Sequence, residues 1–187
     1  MKYYLMLPIF IAISLYGESN ESEKSKLADQ FLKAAGQEGS ILFTPPEGWG
    51  AVDPQSLGLS EIIKAMVIGK GKHEFPPSMN LAIHPYGGTI KDYLKEVKKE
   101  NDAIRADFKD LGNIQVQAGD ARLCQVDFKT KYGEVREMHL FLLKEGTMFV
   151  LTAGALKEEF PKFYNDFFSS MRSLRFNTTI VQKDGGS

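Results

Sequence analysis

The chain has 187 residues, 43% of them apolar and 25% charged, enough for one ordinary domain that buries about two thirds of its unfolded surface. Its 23 basic and 24 acidic residues nearly cancel, leaving a net charge of −1, which excludes the strong basic bias of a nucleic-acid binder. A single cysteine, Cys124, excludes any intramolecular disulfide, so the fold must be held by packing alone.

The first residues carry an address. Lys2 is followed by an uncharged, mostly apolar run from Tyr3 to Tyr16, about 14 residues long, and the first acid is Glu18. A basic start, a short apolar run and a small-residue exit are the pattern of a secretory signal. The run is shorter than the ~20 residues of a spanning helix. Cleavage after Gly17 or after Ser19 fits the exit, and an uncleaved leader would tether the same domain to the membrane. No cysteine stands near that exit, against a lipid-modified N-terminus. Residues 18–25 read as a polar linker. Lys26 to Ala35 reads as a short helix, with Leu27, Ala28, Phe31, Leu32 and Ala35 on one face and Gly36 as its stop.

The domain proper is expected over 40–176. Ser40-Ile41-Leu42-Phe43 opens the first strand, and Pro45-Pro46 then forces a turn. Trp49, the only tryptophan, is placed as an anchor closing one end of the core. Leu59 to Ala65 is a weak helix candidate, Met66 to Gly71 a strand, and Met79 to His84 an alternating strand. Thr89 caps the clearest helix, with Asp92 at the capping-box position. Ile90, Leu94, Val97, Ile104, Phe108 and Leu111 continue its apolar stripe, so the helix is expected to reach Gly112, with Asn101-Asp102 as a candidate break.

The period then changes to two. Ile114 to Gln117 reads as a short strand. Arg122 to Lys129, Val135 to Lys144 and Thr147 to Ala153 follow as a three-strand meander, the last so apolar that it should be central. A second helix is expected from near Glu158 to Arg172, because Phe160, Phe163, Tyr164, Phe167, Phe168 and Met171 share one face and Pro161 is tolerated only in the first turn. Leu174-Arg175-Phe176 closes with a short strand, and 177–187 reads as a frayed tail. The expected architecture is α+β: an antiparallel sheet of about six strands against two long helices, plus the short N-terminal one.

Three segments resemble the PsbP-like fold family: Phe43-Thr44-Pro45-Pro46-Glu47-Gly48-Trp49, Thr89-Ile90-Lys91-Asp92-Tyr93-Leu94 and Ser170-Met171-Arg172-Ser173-Leu174-Arg175-Phe176. The family includes a lumenal photosystem II subunit, the Ran-binding Mog proteins and bacterial exported or chaperone-like domains. The resemblance spans 40–176 and implies a protein-binding role, with no shared catalytic residue. The segments 26–35 and 53–77 depart from the bacterial pattern.

The chemistry of the sequence is sparse. Gly69-Lys70-Gly71-Lys72 lacks the spacing and the Ser/Thr of a phosphate-binding loop and reads as a turn. His73, His84 and His139 are scattered, and zinc spacing is missing. His139 alternates with Met138 and Leu140 and is expected to face solvent. Cys124 reads as a small buried apolar residue. Glu158-Glu159 suits the positive end of a helix. Lys91, Lys95, Lys98 and Lys99 interleave with Asp92, Glu96 and Glu100 as a solvated face.

These readings lead to a non-enzymatic, exported accessory or protein-binding domain, chaperone-like, with no cofactor, metal or nucleic acid. Its candidate groove is the stripe Phe160, Phe163, Tyr164, Phe167 and Phe168 with Trp49. The alternatives are a periplasmic carrier of a lipid or small molecule and, behind it, a hydrolase or a metalloenzyme built on His73 and His84.

Overall fold

The computed structural model describes residues 41–71 and 75–177. The leader, the 26–35 segment, His73 and the tail beyond Asn177 lie outside the described residues.

Seven antiparallel strands form one sheet: β2 (Gly50–Val52), β3 (Ile63–Ile68), β4 (Ser78–Pro85), β5 (Asp107–Val116), β6 (Gly119–Thr130), β7 (Gly133–Lys144) and β8 (Thr147–Leu156). Their order is β2-β3-β4-β8-β7-β6-β5. The apolar β8 is the central strand, as its composition predicted. A separate pair joins β1 (Ile41–Leu42) to β9 (Arg175–Phe176). The sheet has seven strands where about six were expected: β2 was not anticipated, and β5 is a longer form of the short strand read at Ile114 to Gln117.

Helix α1 (Ile90–Ala103) covers one face and helix α2 (Phe160–Arg172) the other. Period two assigns the residues. Met138, Leu140 and Leu142 of β7 pack with Leu151 and Ala153 of β8 against Phe160, Phe167 and Met171 of α2. Phe141 and Val150, on the opposite phase, pack with Cys124 against Tyr93 and Val97 of α1. Both phases of the central strands are thus buried, which gives a sandwich of helix, sheet and helix. Among the described residues no helix is long and apolar enough to cross a membrane.

Three sequence expectations need correction. The helix at Leu59–Ala65 does not form. A short 3-10 turn, Pro54–Leu57, comes earlier, with Asp53 accepting from the Gln55 amide and Gly58 closing it at φ 67°. The run Ile62 to Ile68, rich in β-branched residues, prefers the pleated surface and supplies β3, which ends at Ile68, short of the predicted Gly71.

The long helix ends at Ala103, well before Leu111. Asn101 turns its side-chain amide onto the Val97 carbonyl at 2.9 Å, and Arg105 adopts φ 58°, the left-handed geometry that stops a helix. Ile104 is left outside as an exposed residue, and Phe108 and Leu111 become part of β5. A bulge at Asp110–Gly112 interrupts the ladder to β6. Arg122 on β6 binds across it to Asp110, through Nε at 2.7 Å and Nη2 at 2.5 Å. Finally, α2 begins at Phe160, two residues later than predicted.

Candidate functional site

Trp49 is aimed by a tight turn. Its amide donates to the Pro46 carbonyl at 3.3 Å, and Gly48 takes φ 76°, which glycine allows without strain. The indole then lies on Gly69, where a Cβ would stand 2.5 Å from ring atom Cε2. From there Trp49 meets α2 edge-on, at 5.7 Å from the Phe167 ring and 6.1 Å from Phe163. Edge-to-face rings at such spacing attract through their quadrupoles.

The α2 stripe divides by depth. Phe160 and Phe167 are core residues, their centroids 5.3 Å apart. Phe163 and Phe168 pack on the core but are only partly buried. Tyr164 is 45% exposed and stacks flat on Phe168, with centroids 5.9 Å apart and planes within 10°. Of the predicted groove residues, Phe160 and Phe167 are closed off, Trp49 packs on Phe163 and Phe167, and the outer aromatic edge of the helix is the stacked pair Tyr164 and Phe168.

The N-terminal approach to α2 is fixed by charge. Asp127 on β6 takes two hydrogen bonds from Arg136, at 2.8 and 2.7 Å, and an ion pair from Lys157 at 3.0 Å. Lys157 also reaches Glu134 at 2.9 Å. Burial pushes the Asp127 carboxyl up; the hydrogen bonds from Arg136 and Lys157 outweigh that and hold it below the ordinary carboxylate range.

The α1 face holds what the sequence did not show. Asn80, Thr152, His139 and Cys124 occupy successive register positions on β4, β8, β7 and β6. His139 Nδ1 lies 3.0 Å from Thr152 Oγ1. Its Nε2 stands 3.1 Å from Glu137 Oε2, off the line of a good hydrogen bond. His139 was expected in solvent, but α1 covers its face and Phe141 stacks beside it at 6.0 Å. The relative exposures are 5% for Thr152, 2% for His139 and 6% for Glu137. This row orders a hydroxyl, an imidazole and a carboxylate, yet all three sit beneath the protein surface. Ser78 Oγ and Asn80 Oδ1, on the same face, have no hydrogen-bond partner among the described residues. Burial also lowers the pKa of His84 and pushes the Cys124 thiol up to about 12, as the apolar reading of that cysteine implied. Among the described residues no group of three or more His, Cys, Asp or Glu side chains could hold a metal ion.

No protein-family model matches the chain, and no curated protein does. Solved structures share its fold. LpqN of Mycobacterium tuberculosis, described as involved in cell envelope biogenesis, aligns with a TM-score of 0.51 and 15% identity, covering 76% of this chain and 87% of its own. A cyanobacterial PsbP from Synechocystis sp. PCC 6803 aligns at 0.49 and 13% identity, over 73% of this chain and 86% of that one. The Saccharomyces cerevisiae Ran-binding protein Mog1p aligns at 0.49 and 14%, over 74% and 90%. At these identities the likeness is one of fold.

Proposed function

We propose that this chain is an exported, non-enzymatic accessory domain that holds an apolar segment of a protein partner at the cell envelope, in a chaperone-like manner. One observation carries the reading: the stacked pair Tyr164 and Phe168 lies on the outside of α2, with Tyr164 45% exposed. Aromatic side chains with one face wet and one face packed are the usual anchors of a protein interface. Lys162, Asn165, Asp166 and Arg172 surround them as exposed residues of both signs, which suits an amphipathic segment better than a bare lipid tail.

Export is supported by the apolar leader and by the fold shared with LpqN. A non-enzymatic role is supported by the burial of Thr152, His139 and Glu137 beneath the protein surface. The test is crosslinking of the full chain in intact cells, followed by fractionation and recovery. The reading expects the processed chain in the envelope fraction, joined to a discrete partner, and Tyr164→Ser losing that adduct while keeping its thermal transition. Cytosolic protein, or an adduct indifferent to Tyr164, would refute it.

A further inference from the structure

At the middle of the sheet the two faces differ in kind. Toward α2, Met79 and Leu81 of β4, Leu151 and Ala153 of β8, and Met138 and Leu140 of β7 are all apolar and buried. On the reverse side of the same stretch, Ser78 pairs with Gly154 and Gly154 with Glu137, while Asn80 pairs with Thr152 and Thr152 with His139. Paired residues, and residues two apart on one strand, share a face. Six neighbouring positions therefore hold five polar side chains and one glycine, and none of the five is more than 6% exposed.

An apolar frame surrounds this island. Met66 and Ile68 of β3 flank it on one side, and Val126 and Cys124 of β6 on the other. Along the strands, Val135 and Leu156 bound one end, and Phe141 and Val150 the other. These eight belong to the two apolar clusters of that face. Polar atoms in such a frame cost free energy unless each finds a partner.

The island's own groups do not supply those partners. His139 Nδ1 meets Thr152 Oγ1 at 3.0 Å, but Ser78 Oγ and Asn80 Oδ1 have no hydrogen-bond partner among the described residues. Glu137 stands apart from the other buried carboxylates. Asp127 holds Arg136 and Lys157, and Glu159 holds Lys162. Glu137 pairs with no Lys or Arg among the described residues; its one ion-pair neighbour is the imidazole Nε2 of His139, at 3.1 Å and off the line of a hydrogen bond. A hydroxyl, an amide oxygen and a carboxylate thus remain as acceptors. Gly154 places no side chain between Ser78 and Glu137, whose strands lie about 10 Å apart.

We infer that this island is an internal binding site for a small ammonium-type cation, ammonium itself or a short primary amine, held by Ser78, Asn80 and Glu137. Such a cation brings three or more N–H donors and the charge that Glu137 lacks; water brings two donors and no charge. A metal ion is a poorer match, since no group of three or more His, Cys, Asp or Glu among the described residues could hold one. The site lies on the face opposite α2 and does not depend on the binding role proposed above.

Thermal melts of the full chain at pH 8 test this, with ammonium chloride or methylammonium chloride as the probe and sodium chloride at equal ionic strength as the reference. A ligand that binds only the folded state raises Tm by mass action, and we expect at saturation a rise of at least about 2 °C over sodium. Isotope-labelled ammonium should also give a protein-bound nitrogen resonance. Ser78→Ala and Asn80→Leu, which remove the two orphaned oxygens, should lose both responses, and so should Glu137→Gln, which keeps the shape and removes the charge. Ser78→Ala is the mildest change and decides the matter if a larger one unfolds the chain. Equal melting in ammonium and sodium with no bound resonance would overturn the inference and leave water as the occupant. A response that survives Ser78→Ala and Asn80→Leu would also overturn it, by placing the cation elsewhere.

Discussion

Replacing Asp127 by Asn removes a charge and keeps the shape. The Asp127 side chain is 3% exposed, against 26% for Arg136 and 37% for Lys157. Deleting one partner of a fully buried ion pair costs about 3–5 kcal/mol, because the other charge is stranded. Here water still reaches both cations, so the loss falls to about 2–3 kcal/mol. For a chain of this size each kcal/mol shifts Tm by about 2–4 °C, giving a drop of about 4–12 °C at pH 7. The pH dependence has a defined sign. The folded carboxyl sits below its unfolded value of about 3.9, so its contribution is complete well above pH 4. It is lost as pH falls through 4 and then through the folded value. Thermal melts of wild type and Asp127→Asn from pH 7 to pH 3 should converge in acid. A Tm change under 1 °C at pH 7, or a gap that stays constant down to pH 3, would refute the role assigned to this cluster.

Gly69→Ala forces a methyl against a rigid indole at 2.5 Å. Overpacking of that kind costs about 1–3 kcal/mol and should move Trp49 emission to longer wavelength; unchanged emission and Tm would show that the ring does not rest there. Thr89→Ala removes the hydroxyl that accepts from the Asp92 amide at 3.2 Å, and urea denaturation should report a loss of about 1 kcal/mol. Its Cβ stays, so an effect above about 2 kcal/mol would point to a different role. Cys124, buried with its thiol pKa pushed up to about 12, should react with a thiol reagent at pH 8 only at the rate of global unfolding; labelling within seconds in native buffer would contradict its burial.

Much of this fold was legible because its signals were local. Thr89 with Asp92 announced the start of α1, and an unbroken apolar run announced β8 as the centre of the sheet. The aromatic stripe placed α2 within two residues of its start. Strand β5 was less legible. Ile104, Phe108 and Leu111 continue the four- and three-residue steps of α1, so the apolar stripe does not show where the helix stops and β5 begins; in β5 the three-residue step changes face, leaving Phe108 half-buried and Leu111 exposed. The Asn101 side chain turned back on Val97 and the left-handed Arg105 separate the two readings. The buried row Asn80, Thr152 and His139 was hidden for another reason. Polar residues alternating with Met138 and Leu140 look like a solvated face until a helix is laid over them, and α1 is remote in sequence from all of them but β4. The seat of Trp49 depends on a missing side chain at Gly69, which no periodicity records. As for the candidate site, the stripe named the right helix, but depth decides its parts: Phe160 and Phe167 are committed to packing, and Tyr164 and Phe168 carry the outer edge.

The most direct measurement places a photoactivatable crosslinking residue at position 164 and, as a control, at the exposed Glu145 in the turn between β7 and β8. Irradiation of living cells should yield a specific protein adduct in the envelope fraction from position 164 alone. Identical adducts from both positions, or none from 164 in correctly processed protein, would contradict a partner-holding edge on α2.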